Sequence, residues 1–399
     1  MSFELDNLDS LIMAIALLLV GRLLVFLIHP LKQYNIPVPV VGGLVFAGLL
    51  AFLQTSTDIR LSFDTDLRSV LMLAFFASVG LSADLARLRR GGVSLAIFLL
   101  VVTLFLVFQN AIGAATAYLL DLHPAIGLLA GSITLSGGHG TGVAWAERFA
   151  EVQNLSGALE LSVACATFGL VIGGLIGGPV SQFLITRHQL KPPVNGPAAT
   201  VSDEPGSETP GVNGMLATLF LIMLAIVAGN YLYAEFKDAA VKLPGFIWAL
   251  FAGVLLRNLL GMSGLYRINE KGLDLLSTLA LWLALALTFM GLKLWELVDL
   301  AGPLLVVMLA QTVGIVLFAT FITFRLLGAN YDAAVMAAGH CGFGMGATPT
   351  AIANMQAVSA RYGPSPLSFI VVPMIGAFFI DFLNALIIQG FLELPLHGF

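Results

Sequence analysis

Residues 339–350 read GHCGFGMGATPT and residues 136–142 read SGGHGTG, both inside otherwise apolar chain. Glycine is among the poorest helix formers, about 1 kcal/mol worse than alanine at each interior position. Helices are therefore expected to break at both places. Around them, 58% of the 399 residues are hydrophobic and only 10% charged, against about 25% charged in an ordinary soluble domain. The chain reads as an all-α integral membrane protein that interrupts its own helices twice. Its net charge of −5 and the lack of a basic run argue against a nucleic-acid partner. Two cysteines, Cys165 and Cys341, are too few for a disulfide framework. The opening MSFELDNLDS carries three acids and no base, unlike the basic start of a cleaved signal peptide, so the first apolar segment is expected to be a retained span.

Crossing the hydrocarbon core takes roughly 20 apolar residues. Ten spans are expected on that basis, at about 11–28, 38–54, 67–83, 93–119, 156–186, 214–233, 244–260, 273–292, 303–326 and 366–391. The glycine-rich stretches near 124–146 and 332–352 stand apart from them. Between 187 and 213 the chain turns to proline, glycine and acid (RHQLKPPVNGPAATVSDEPGSETPG over 187–211), the composition of a solvated linker. Five spans precede it and five follow, giving halves 1–186 and 214–399. The halves resemble each other: PVVGGLVFAGLL (39–50) aligns with PGFIWALFAGVL (244–255), and MLAFFASVGL (72–81) with LALALTFMGL (283–292). An odd number of spans per half inverts the second relative to the first, the inverted repeat of secondary transporters. Lys32, Arg87, Arg89, Arg90, Arg187, Lys191, Arg257, Arg267, Lys271 and Arg325 fall on one side, against Arg60, Arg68, Lys237, Lys242 and Lys293 on the other. The positive-inside rule then puts both termini outside and the linker in the cytoplasm.

Backbone polar groups left bare in lipid cost several kcal/mol each, so broken helices at that depth must be buried in protein or line a wet cavity. Both glycine stretches are expected to form re-entrant hairpins, one from each membrane face, with tips meeting near the midplane. Half-helix N-termini suit a carboxylate. Half-helix carbonyls, with Ser136, Thr141, Thr348, Thr350 and Asn354, suit a hard cation such as sodium. The glycines of GGLIGGP (173–179) are better explained by close helix packing.

Asp381, within FFIDFLNALII, puts a carboxylate at mid-span, with Asn384 on the same face. It is expected to meet an ammonium or sodium. Gln109–Asn110 and Gln311–Thr312 occupy the fourth span of each half and serve either a ligand or helix packing. His139 and His340 sit one in each hairpin, but no cysteine or carboxylate spacing supports a transition metal. Glu160 reads as interfacial. No phosphate loop is present, and GMSG at 261–264 falls outside a mid-membrane helix, so enzymatic readings are set aside.

LAGSITLSGGHGTG (129–142), AAGHCGFGMGATPTAIANMQA (337–357) and VVPMIGAFFIDFLNALII (371–388) together resemble the bacterial sodium/glutamate symporter family, along nearly the whole chain. The resemblance implies sodium-coupled uptake of L-glutamate across the bacterial inner membrane, a homodimer, an elevator motion of a transport domain, and no organic cofactor. By motif, the substrate side is Ser136, Gly137, Gly138, His139, Gly140, Thr141, Gly344, Gly346, Thr348, Thr350 and Asn354. The sodium side is Asp381, Asn384, Gly342, Gln311 and Gln109. Which atoms take which ligand stays open. A sodium symporter for a di- or tricarboxylate such as citrate is the alternative, and a passive anion channel the alternative from another class.

Overall fold

The computed structural model describes residues 2–34, 36–56, 60–63, 66–85, 92–192, 211–236, 243–293 and 300–394. Most of the expected linker, and Arg87, Arg89, Arg90, Lys237 and Lys242, lie outside them. The first quarter holds β1 (Ser2–Leu5), α1 (Asn7–Leu27), α2 (His29–Gln33), α3 (Val38–Ser56), β2 (Arg60–Phe63) and α4 (Asp66–Ser82). Next come α5 (Gly92–Leu119), α6 (Pro124–Leu128), α7 (Gly138–Gln153) and α8 (Ala158–His188). The second half supplies α9 (Val212–Phe236), α10 (Gly245–Ser263), α11 (Glu270–Phe289), α12 (Ala301–Phe318) and α13 (Phe324–Leu326). It closes with α14 (Tyr331–Gly344), α15 (Thr348–Tyr362), α16 (Pro366–Met374) and α17 (Ile380–Leu392). Wider π turns at Leu129–Ile133, Ala319–Thr323 and Ile375–Phe379 extend α6, join α12 to α13 and join α16 to α17. β1 and β2 pair in parallel over four residues each, a two-stranded exception to a helical chain.

Each expected span coincides with a helix to within a few residues. Seven helices among the described residues are long and apolar enough to cross a membrane, including α1, α5, α8, α9 and the α12–α13 segment. Their starts follow local chemistry. Asp6 caps α1 by accepting from the Asp9 amide at 2.9 Å. Asn269 and Asn330 cap α11 and α14 in the same way.

The glycine stretches depart from expectation. Gly138–Gln153 and Tyr331–Gly344 are helical, so GHGTG and GHCGFG lie inside helices and only the tips, near 136–137 and 345–347, are unwound. Helix propensity is overridden by close packing: Gly142, Gly339 and Gly344 meet side chains of neighbouring elements, and Gly342 meets backbone. A Cβ on Gly342 would lie 2.5 Å from Cα of Ala351 on the facing arm, a collision for any side chain. Glu160, in the first turn of α8, is buried against protein.

The chain forms two compact units, and each draws on both sequence halves: residues 1–85 with 204–298, and residues 86–203 with 299–399. In the first unit, α4 packs with α9, α10 and α11 through Ala74, Ala77, Leu81, Leu221, Ala225, Ala249 and Ala252. Small side chains let helices approach closely in lipid, where packing replaces the hydrophobic drive. Arg257 pairs with Asp84 at 3.3 Å and Glu270 at 3.1 Å, and Asn258 holds the end of α4 through the Leu85 amide and the Ala83 carbonyl. In the second unit lie α5, α8, α12–α13, α16–α17 and both hairpins. Cys165 and Cys341 are free thiols buried in it.

Candidate functional site

All the site residues expected from the sequence fall in the second unit. Each hairpin is two antiparallel arms with a glycine turn. In the first, the chain leaves helical geometry at Gly131 (φ −106°, ψ −133°), recovers, then turns at Ser136–Gly137 into α7, with Gly138 at φ +70°. In the second, α14 turns at Met345–Gly346 into α15. The tips touch: a Cβ on Gly138 would lie 3.7 Å from the Gly346 carbonyl oxygen.

Neither second arm has a side-chain cap. Gly137 precedes α7 and Ala347 precedes α15, and neither offers a capping bond to the first-turn amides. Gly137, Gly138, Ala347 and Thr348 are half-buried and Pro349 is exposed, while the residues on either side of these two runs are buried. Two helix N-termini of 16 and 15 residues therefore start at adjoining, partly accessible tips. Each carries partial positive charge.

Beside them is the acid. Thr141, in the first turn of α7, donates to Asp381 Oδ1 at 3.3 Å. A Cβ on Gly174 of α8 would stand 3.6 Å from Thr350 Cγ2 in the first turn of α15, so Thr141 meets a carboxylate where Thr350 meets a glycine.

Several expected site residues are already engaged within the protein. Gln109 Nε2 donates to the Gly344 carbonyl at 2.8 Å, its Oε1 accepts from Ser136 Oγ at 2.6 Å, and its own carbonyl accepts from Gln311 Nε2 at 2.9 Å. It ties both tips to α5 and to α12. Asn354 Nδ2 donates to Gly173 O at 2.8 Å and Ala338 O at 3.3 Å. His139 Nε2 pairs with Thr167 Oγ1 at 3.1 Å, on the neighbouring α8 rather than in its own turn. Gly344 faces the Phe105 ring, and Gly346 packs on Leu170. Gly140 is buried within α7.

Other polar atoms are buried and, among the described residues, have no hydrogen-bond partner: Gln311 Oε1, Asn384 Oδ1, Ser132 Oγ, Asn110 Nδ2 and Thr350 Oγ1. Asn384 Nδ2 donates to Ser132 O at 2.8 Å, and Asn110 Oδ1 accepts from the Ser132 amide at 3.1 Å. Asn110 was expected to serve either a ligand or helix packing, whereas Ser132 and Thr167 were not singled out from sequence. For Ser132 the available signal was proximity to a helix break that only the backbone reveals. Among the described residues no group of three His, Cys, Asp or Glu is gathered as a metal centre.

Comparison with known proteins gives the site its context. A family model described as "Sodium/glutamate symporter" matches residues 3–364. The sodium/glutamate symporter of Escherichia coli (strain K12) is 50% identical over 402 residues, covering 99% of this chain and all of the relative. That of Shigella flexneri aligns equally well. The sodium/glutamate symporter of Haemophilus influenzae is 46% identical over 396 residues, 98% of each chain. A family model across nearly the whole chain and relatives aligned end to end leave one conclusion: the chain belongs to the sodium/glutamate symporter family.

Proposed function

We propose that the chain takes up glutamate with sodium across the bacterial inner membrane, by alternating access. The observation carrying this reading is the junction of two uncapped helix N-termini beside the lone mid-span acid Asp381. An amino acid presents the complementary pattern, carboxylates for the amides and an ammonium for the acid. Membership of a symporter family makes the chain a transporter rather than an enzyme.

On this reading the substrate meets Ser136, Gly137, Gly138, His139, Gly140 and Thr141 on one tip. On the other it meets Gly344, Gly346, Thr348, Thr350 and Asn354. Asp381 takes the ammonium, and sodium draws on Asn384, Gly342, Gln311 and Gln109, some as direct ligands and some by holding backbone in place. Gln109, with both carboxamide atoms committed, belongs to the second kind. Glutamate carries net −1, and moving that charge inward against 100 mV costs about 2.3 kcal/mol. Each sodium carried inward offsets that cost and adds its own gradient. Coupling follows if each ligand raises the other's affinity in the same conformation, a reciprocal linkage.

The architecture that goes with this function is ten spans in two inverted repeats, 1–186 and 214–399, joined by a cytoplasmic linker over 187–213, with both termini periplasmic. The similar placement of Thr141 beside Asp381 and of Thr350 beside Gly174 supports it. The unit carrying both hairpins acts as the transport body of an elevator, and the other unit as the scaffold of a homodimer.

The test is uptake of labelled glutamate into proteoliposomes with sodium or choline outside. Uptake that is the same in choline overturns the symport reading. Competition by citrate, aspartate and D-glutamate identifies the substrate class; displacement by citrate alone replaces glutamate with a tricarboxylate.

A further inference from the structure

We propose that the coupling cation sits at the Gly131–Ser132 break in the first hairpin, held by Ser132 Oγ, Gln311 Oε1 and Asn384 Oδ1, while Asp381 with Thr141 receives the substrate's ammonium. The proposal rests on the sodium-symport reading above and divides the roles within it.

A buried polar atom without a partner costs about 1–3 kcal/mol, so native chains rarely leave several together. Here three acceptor oxygens, on three separate elements that reach the same stretch of chain, are in that condition among the described residues. Ser132 is on the first hairpin arm, Gln311 on α12 and Asn384 on α17, and all three side chains belong to residues no more than 1% exposed.

Each is tethered to the break itself. Asn384 Nδ2 is bonded to Ser132 O. Gln311 Nε2 is bonded to Gln109 O and lies 3.6 Å from where a Cβ on Gly131 would stand. In each carboxamide the nitrogen is spent on backbone and the oxygen is left over. Nitrogens facing protein and oxygens in reserve is the orientation a cation site requires.

The donor set also selects the ion. Two amide oxygens and one hydroxyl are hard, neutral ligands, which suit an alkali cation and offer no charge to offset a divalent one. Gly131 contributes by having no side chain, since a Cβ there would stand 3.0 Å from Asn110 Oδ1. Asp381 differs on each count. It is half-buried, its recorded partner is the Thr141 hydroxyl in the first turn of α7, and that turn opens at the accessible tips where substrate would dock. A competing occupant of the break is water, which would satisfy the oxygens and the Asn110 Nδ2 donor alike.

The experiment uses the full-length protein, in detergent for melting and in proteoliposomes for uptake, with Ser132→Ala and Asp381→Asn. Ser132→Ala is expected to raise the sodium concentration for half-maximal uptake by about tenfold, the size of one lost bond to a charged partner. Its glutamate half-saturation at saturating sodium should stay within about twofold of the parent, a small change on the same scale. Without glutamate, sodium should raise the melting temperature of the parent and of Asp381→Asn over a choline control, and of Ser132→Ala much less. Should Ser132→Ala fold poorly, Ser132→Cys keeps the volume and replaces the oxygen with a poor ligand for sodium, with the same expected shift. Unchanged sodium dependence in the Ser132 variants overturns the assignment and leaves water at the break. Loss of sodium-induced stabilisation in Asp381→Asn overturns it in favour of the carboxylate. Failure of the underlying reading looks different: parent uptake itself would be indifferent to sodium.

Discussion

At the scale of single residues, the site is organised by side chains that bridge separate elements. Gln109 is the clearest case, accepting from the Ser136 hydroxyl on one tip and donating to the Gly344 carbonyl on the other. Gln109→Glu keeps an acceptor for Ser136 but sets a second oxygen against the Gly344 carbonyl. The expected cost is about 1–3 kcal/mol, read as a lowered melting temperature with uptake falling alongside. A variant that melts and transports like the parent would remove Gln109 from this role. Asp381→Asn has the opposite profile: protein remains in the membrane at parental level, and glutamate uptake is lost. Sodium-driven uptake at the parental rate by that variant would take Asp381 out of the substrate site. Asp381 stood out in the sequence because an acid within an apolar helix is expensive in itself. Ser132 gave no such warning, since a serine among small residues is ordinary until the backbone beside it breaks.

At the scale of elements, the apolar helices were legible and the glycine-rich arms only partly so. Apolar runs of about 20 residues announce a crossing helix whatever surrounds them, and the helices end within a few residues of the expected limits. The glycine-rich arms were expected to unwind because propensity counts each glycine against a helix. What propensity omits is the neighbour. A Cβ on Gly177 would stand 2.7 Å from the Ala338 carbonyl oxygen, so the glycine is the condition for α8 and α14 to meet at all. Gly178, the next residue, faces nothing within 4 Å. Gly177→Ala is therefore expected to destabilise by about 1–3 kcal/mol through overpacking, while Gly178→Ala is neutral or slightly stabilising. Equal melting temperatures for the two variants would refute the packing account.

At the scale of the whole molecule, each compact unit draws on both halves of the chain, an arrangement composition alone does not reveal. The exchange of elements between the halves is not visible in sequence, because hydropathy records which segments are apolar and not which ones pack together. The functional expectation at this scale is carrier behaviour. Preloaded vesicles should exchange labelled for unlabelled glutamate under conditions of no net flux. Net current without such exchange would mean a channel built on the same hairpins.

Cys165 and Cys341 are both fully enclosed in the unit that holds the hairpins. A maleimide added to the native protein in this conformation should find no thiol to react with. Single cysteines introduced at the tips can therefore be mapped for access from either side of the membrane in the wild-type background, and each becomes a direct reporter of which face the site has opened toward.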